Sequence, residues 1–241
     1  MTQRPIFLPG DAINEAVREV MIPFTWVKGM AFSQQQKRAD ALHEAAAAAG
    51  YQPVLEVSSK SRALEGTRLS AFLLQLTLPN GHKCSVESAY QGSKVFEHGG
   101  PFSDLYYADS LDAKRDMRLK ESGALRGFEF FGEEWAIQPA SAFYDHLYMS
   151  ALVAHPALTA SLQEYAGFTD ISFNPKKQVS CQARTVAMFV CLQKLGVEKE
   201  YVASKELFLS LYGASPTGSA ASRDLQYVAD DEEFFQPDLF S

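Results

Sequence analysis

The chain has 241 residues, a formal net charge of −7 and 46% apolar residues. That balance excludes a mostly disordered chain and allows a core large enough for a concave, partly dry pocket. The acidic sum argues against strong non-specific attraction to nucleic acid, though it leaves a local basic patch open.

No run approaches the roughly 18 apolar residues of a membrane span. The N-terminal "MTQRPIFLPGD" lacks the apolar stretch of a signal peptide. Cys84, Cys181 and Cys191 are odd in number and match no zinc spacing. They read as reduced, buried thiols in a cytoplasmic protein.

In chain order, "DAINEAVREV" has helical spacing with Asp11 as an N-cap. The aromatic "PFTWVKGMAF" gives no clear period. Ser33 opens a strong helix, "SQQQKRADALHEAAAAAGY", stopped by Gly50. "PVLEVSS" reads as a short strand. "LSAFLLQLTL" and "HKCSV" flank "PNG", which signals a hairpin. Ser85 then caps the helix that begins "SVESAYQGSKVF", and "GGPFSDLY" breaks it. "SLDAKRDMRLKESG" reads as a charged helix between a Ser110 cap and Gly123. "PASAFYDHLYMSALVAHPALTASLQEYAG" reads as one or two helices interrupted at Pro156. "FTDISFNPKKQVSC" reads as a loop and "ARTVAMFVCLQKLG" as a core helix. From about Gly213, "GASPTGSAASRD" has linker composition and "VADDEEFFQPDLFS" is acidic and aromatic. No internal repeat is visible. The sum is a helix-rich α+β single domain with a small antiparallel hairpin.

Within the Ser85 helix, Glu87, Gln91, Lys94 and His98 recur at i, i+4, i+7 and i+11, which is one helical face. Val86, Ala89, Tyr90 and Ser93 occupy much of the other side. A solvated stripe is the ordinary meaning of such spacing. The alternative is a pocket wall, in which a carboxylate and an ammonium act on one ligand.

These residues carry a family resemblance. "LSAF…PNGHKCSVESAYQGSKVF" resembles the core motif of the NADAR (NAD- and ADP-ribose-associated) family, Ser-Asn-Phe, a hairpin, then Ser-Glu-His-Tyr-Phe-Gln-Ala-x-Lys-Phe. Ser70 and Phe72 match the first element, with Ala71 in place of Asn. Glu87, Gln91 and Lys94 match the second, with Ser88 in place of His. Downstream, "GEEWAIQPASAFYDHLYMSAL" carries the tryptophan, Trp135. Asp170, Phe173 and Arg184 match an Asp, an aromatic and an Arg, while "NPKKQVS" replaces a glycine-rich stretch. This likeness covers roughly residues 54–195. Longer stretches, including "WVKGMAFSQQQKRADALHEAAAAAGYQPVLEVSSKS", are similar to the NADAR proteins encoded beside DarT-type DNA ADP-ribosyltransferase toxins.

The resemblance implies an antitoxin that removes ADP-ribose from guanine bases in DNA by N-glycosidic cleavage. It implies three segments: residues 1–53 as a family-specific extension packed on the core, 54–212 as the catalytic core, and 213–241 as linker and tail. By analogy with glycoside hydrolysis the transition state is oxocarbenium-like, so no metal or other cofactor is required. Glu87 is expected at the anomeric centre. Lys94 is expected on the ribose, either holding an oxygen or forming a Schiff base with the opened sugar. Asp170 orients the ribose or assists proton transfer. Ser70, Phe72 and Gln91 bind substrate, Trp135 and Phe173 stack on a base, and Arg184 or Lys60 meets the diphosphate.

The wider family also implies N-glycosidases of riboflavin-pathway intermediates. The long N-terminal extension argues against that second reading. A non-catalytic ADP-ribose or NAD module is the third, and the joint presence of Glu87, Lys94 and Asp170 argues against it. "DAKRDMRLK" and "NPKK" are the basic-leaning loops through which ADP-ribosylated DNA, preferably single-stranded, would be met. In the tail, Gln236 to Phe240, "QPDLF", resembles peptides that dock on the DNA-polymerase sliding clamp.

Overall fold

The computed structural model of the protein describes residues 2–176 and 178–213. The expected linker and tail beyond Gly213, with the clamp-like peptide Gln236 to Phe240, lie outside the described residues.

Strands β1 (Thr2–Pro9) and β2 (Val17–Phe24) form an antiparallel hairpin, with Ile6 opposite Val20. This overturns the helix expected over "DAINEAVREV". Only Ile13–Glu15 make a 3-10 turn. Ile13, Ala16, Val17 and Val20 carry the helical spacing, but Val20 also starts an alternating run with Ile22 and Phe24. Pairing with β1 decides between the two periods, because it buries that alternating face. β1 was not anticipated at all. Ile6 and Leu8 face one apolar cluster with Ile22, Phe24 and Leu42, whereas Phe7 faces the main core. A strand buried on both faces shows no alternation to read.

Helix α1 (Phe32–Ala48) buries Gln35, Arg38, Ala39, Leu42 and Ala46 against this sheet. Gly50, at φ +90°, closes it: the Tyr51 and Gly50 amides donate to the Ala46 and Ala47 carbonyls. Arg38 fixes the aromatic segment before α1. Its guanidinium donates to the carbonyls of Val27 (3.0 Å) and Gly29 (2.7 Å) and lies 4.0 Å from the Trp26 ring centre. Strand β3 (Val54–Glu56) appears where expected. The next elements are α2 (Leu64–Arg68), the hairpin β4 (Gln75–Thr77) and β5 (Lys83–Ser85), and α3 (Val86–Gly92). The hairpin turns at Gly81, φ +83°.

Beyond α3 the pattern departs from expectation. Lys94–Phe96 form β6, followed by α4 (Ser110–Arg115) and α5 (Arg118–Glu121), then β7 (Leu125–Phe130) and β8 (Glu133–Trp135). The single charged helix is thus two short ones, and Asp109 rather than Ser110 caps the first. β6, β7 and β8 make an antiparallel sheet in which Lys94, Phe128 and Trp135 stand in one row. Then come α6 (Ala142–Ala154), α7 (Pro156–Thr159), β9 (Gly167–Thr169), α8 (Gln182–Leu195), α9 (Glu198–Ala203) and α10 (Lys205–Gly213).

β9 lies between β1 and β3 in a four-stranded sheet of order β2-β1-β9-β3, antiparallel to β1 and parallel to β3. The fold is therefore a mixed α+β domain with small sheets, and the one expected hairpin is joined by two further sheets. α6 and α8 are apolar on nearly every face and form the centre of the core. The three cysteines are buried and free of disulfides. Among the described residues no helix is long and apolar enough to cross a membrane.

Two contacts yield predictions. Asp145 on α6 is 1% exposed. It accepts hydrogen bonds from Tyr212 (2.6 Å), Ser141 (2.7 Å) and Thr185, which ties α10 and α8 to α6. Asp145→Ala is expected to cost about 3 kcal/mol or more in urea denaturation, and Tyr212→Phe about 1 kcal/mol. A Cβ on Gly92 would stand 2.6 Å from the Tyr106 ring. Gly92→Ala is expected to lower stability by about 1–3 kcal/mol, measured in the same way.

Candidate functional site

Ser85 starts α3 as expected: its Oγ accepts the Ser88 amide at 2.9 Å. The helix stops at Gly92, where Tyr106 leaves no room for a side chain, and the chain turns into β6 to pair with β7. The polar stripe is thus not one helical face. Glu87 and Gln91 lie on α3, Lys94 on a strand, and His98 in an exposed turn beyond it. Pairing with a distant strand overrides continuation of the helix.

Glu87, Gln91 and Lys94 nonetheless meet, and they are buried: 6%, 3% and 1% exposed. Gln91 Nε2 donates to Glu87 Oε1 at 2.9 Å, and Lys94 Nζ donates to Gln91 Oε1 at 2.7 Å. The Lys94 ammonium also sits 4.8 Å from the centre of the Tyr90 ring. The stripe is a wall inside the protein, in surroundings where electrostatic interactions are stronger than in water. Ser88 turns elsewhere, bonding the Ala108 carbonyl and the Ser85 hydroxyl.

The Ser70–Phe72 turn abuts this group. The Ala71 carbonyl accepts the Glu87 amide at 3.0 Å. The Ala71 amide donates to Gln182 Oε1 at 2.9 Å, and Gln182 Nε2 donates to Asp170 Oδ2 at 3.0 Å. Ser70 is buried, and its carbonyl accepts the Leu73 and Leu74 amides. Tyr144 is buried nearby, edge-on to Tyr90. Burial pushes its hydroxyl well above the usual range, and the charges of Glu87 and Asp170 add to that. Burial likewise raises the Asp170 carboxyl, opposed first by Lys60.

Lys60 lies in the turn after β3 and, with Glu56, His43, Asp40 and Arg62, lines a cleft of about 160 Å³. The remaining expected residues are placed differently. Trp135 is buried against Phe143, His146 and Phe208. It connects to Lys94 through the cross-strand row with Phe128 and through a row of rings, Phe143, Phe128 and Tyr90. Phe173 is packed edge-on to Phe7 in the core. Arg184 turns to Asp145, 3.4 Å away.

Three residues were not anticipated. Lys114 of α4 lies 3.7 Å from Glu87 Oε1 and 5.4 Å from the Phe72 ring centre. Its only trace in the sequence is the basic-leaning "DAKRDMRLK". Gln182 and Tyr144 left no signal, since an amide or a phenol in a helix is unremarkable until its partner is seen.

A family model described as the DarT1-associated NADAR antitoxin matches residues 2–222. A search of the curated proteins gave no match. The matched span takes in the β1–β2 hairpin as well as Glu87, Lys94 and Asp170. The chain belongs to the family of DarT1-associated NADAR antitoxins.

Proposed function

We propose that the protein is an ADP-ribosyl hydrolase that releases ADP-ribose from guanine bases in DNA, and that this activity underlies its antitoxin role. The observation that carries this reading is the buried run Glu87–Gln91–Lys94, connected to Asp170 through Ala71 and Gln182. A carboxylate and an ammonium share one buried carboxamide, and the segment bearing a second carboxyl is tied to the backbone of Glu87, which supports chemistry at a ribosyl–nitrogen bond.

In the reaction, the bond from ribose C1 to the guanine nitrogen breaks, and water supplies a hydroxyl to C1 and a proton to the nitrogen. Glu87 stabilises the cationic C1 and takes the proton from water. Lys94, its ammonium aimed by Gln91, holds a ribose hydroxyl oxygen and fixes the sugar while the electron pair of the broken bond leaves with the guanine nitrogen. Asp170 orients the ribose hydroxyls. Lys60, beside Asp170, meets the diphosphate. Arg184 is engaged with Asp145, and Trp135 and Phe173 are packed in the core. In this reading these three support the walls of the site, and the substrate contacts fall to the residues nearer Glu87 and Asp170. Lys114 and Phe72 flank Glu87 on the α4 side and receive the base and its phosphate. A modified guanine must be unstacked to enter, in keeping with single-stranded DNA as substrate.

The buried amine of Lys94 also favours a second route to the same products, through a Schiff base with the opened ribose. Borohydride trapping separates the two: a covalent adduct on the parent, lost in Lys94→Arg, supports the imine.

Incubation with guanine-ADP-ribosylated single-stranded DNA is expected to release free ADP-ribose, followed by mass spectrometry. Glu87→Gln and Lys94→Ala are expected to lower kcat by at least about a hundredfold while remaining folded. Full turnover by both variants sinks the site assignment. ADP-ribose binding without turnover by the parent points to the binding-module reading, and turnover of riboflavin-pathway intermediates alone to the small-molecule glycosidase.

Lys114→Ala is expected to raise KM about tenfold with kcat within about threefold, and to reduce the slope of log KM against log salt by about one. An unchanged salt slope removes Lys114 from the phosphate contacts.

A further inference from the structure

Glu56 ends β3 and is 3% exposed. Its carboxyl accepts the Ser58 hydroxyl at 2.5 Å, the Thr169 hydroxyl at 2.7 Å, and the Ile171 amide on both oxygens at 3.0 and 3.2 Å. Two of those donors, Thr169 and Ile171, bracket Asp170. The third, Ser58, accepts the backbone amide of Lys60 at 3.2 Å. One buried carboxyl thus grips both segments that carry groups assigned to the ribose and the diphosphate. A burial this deep is costly for a carboxylate, and β3 already pairs with β9 through its backbone at Val54, Leu55 and Glu56.

We propose that Glu56 is a positioning residue for the reaction, holding Asp170 and Lys60 at their places against the ADP-ribose. The proposal rests on the hydrolase reading and deepens it. Glu56 does not touch the reacting atoms. Its effect passes through Asp170, whose own oxygens are held by the Ser172 amide and by Gln182.

The surroundings of Glu56 define a pH response. Asp170 faces it from the end of β9 and Lys60 from the turn after β3. From α1, His43 bonds the Thr169 hydroxyl at 2.8 Å, and burial lowers that imidazole to about 4. Asp40 pairs with Arg62 at the cleft mouth. Glu65 of α2 points away, to Ser161 and Tyr165. Burial first, and then the charge of Asp170, raise the Glu56 carboxyl from 4.5 to about 7, against the lowering effect of its hydrogen bonds.

Because the folded value lies above the unfolded one, ionisation of Glu56 costs stability, and that cost grows as pH rises from 4.5 to about 7. All four hydrogen bonds, however, are donated to the carboxyl oxygens, so the grip on Asp170 is tightest once Glu56 is ionised. Activity and stability should therefore move in opposite directions across this window. A merely structural carboxyl would move them together.

The test compares the full chain with Glu56→Gln, and with the milder Thr169→Val, which removes one donor isosterically. On guanine-ADP-ribosylated single-stranded DNA, the parent kcat is expected to rise through about pH 7 while the melting temperature falls. In Glu56→Gln, kcat at pH 8 is expected to drop about 10- to 100-fold with KM within about threefold, and both pH trends flatten. Thr169→Val is expected to lose about three- to tenfold in kcat.

Carboxyl-carbon NMR titration of the empty protein is an independent readout. Asp170 should titrate in two steps in the parent and in one step in Glu56→Gln. Parental kcat in both variants, or an unchanged Asp170 titration, overturns the proposal. A parent inactive on the DNA defeats the hydrolase reading instead, and the NMR titration then decides the grip of Glu56 on Asp170 alone.

Discussion

The carboxamide of Gln182 is the joint on which the candidate site hangs. Its nitrogen holds Asp170 after β9, and its oxygen holds the Ala71 peptide, whose carbonyl receives the Glu87 amide. One side chain at the start of α8 thereby reaches a turn 111 residues earlier in the chain. The amide suits this place because it presents a donor and an acceptor in one rigid plane and carries no charge. A carboxylate there would repel Asp170, and a hydroxyl would not span the gap. Around that joint, α3, the Ser70–Phe72 turn and the end of β9 are held in a single relation.

Local signals were legible in the sequence. Ser85 at the head of α3, Gly50 behind α1 and the Pro79-Asn80-Gly81 turn act through bonds within a few residues, so residue type alone points to them. The apolar α8 was legible because a helix without a polar face has to be buried. The missed features depend on distant partners. β2 has two periods at once until β1 pairs with it. Lys94 continues a helical spacing until β7 takes it into a sheet. Glu56 was one residue in an ordinary short strand, and nothing near it announces Thr169 and Ile171.

The candidate residues were found by likeness to a family rather than by physics of spacing. Periodicity put Glu87, Gln91 and Lys94 on one face and favoured solvent for them. Their burial follows from what surrounds them. Tyr90, Phe128 and Phe143 form a continuous row of rings, and Tyr144 meets Tyr90 edge-on. Polar groups set among rings lose the competition from water, so each hydrogen bond between them gains weight. The same row accounts for Trp135 at its far end, where the ring supports the sheet that presents Lys94.

The α4–α5 excursion that carries Lys114 has a small apolar cluster of its own: Phe96, Leu105, Ala113 and Leu119. Its outer face is fastened by Arg118, which forks onto Asp104 and Asp116. Such surface ion pairs contribute little free energy, and the cluster is far smaller than the core under α6 and α8. The layer that carries Lys114 is nevertheless not loose: the Ser110 hydroxyl at the head of α4 bonds the Phe72 carbonyl and the Ser85 hydroxyl, and Ser88 of α3 donates to the Ala108 carbonyl. The position of Lys114 over Glu87 is therefore set by hydrogen bonds to the same turn and helix start that place Glu87, so one set of small hydroxyls fixes a cation and a carboxylate together.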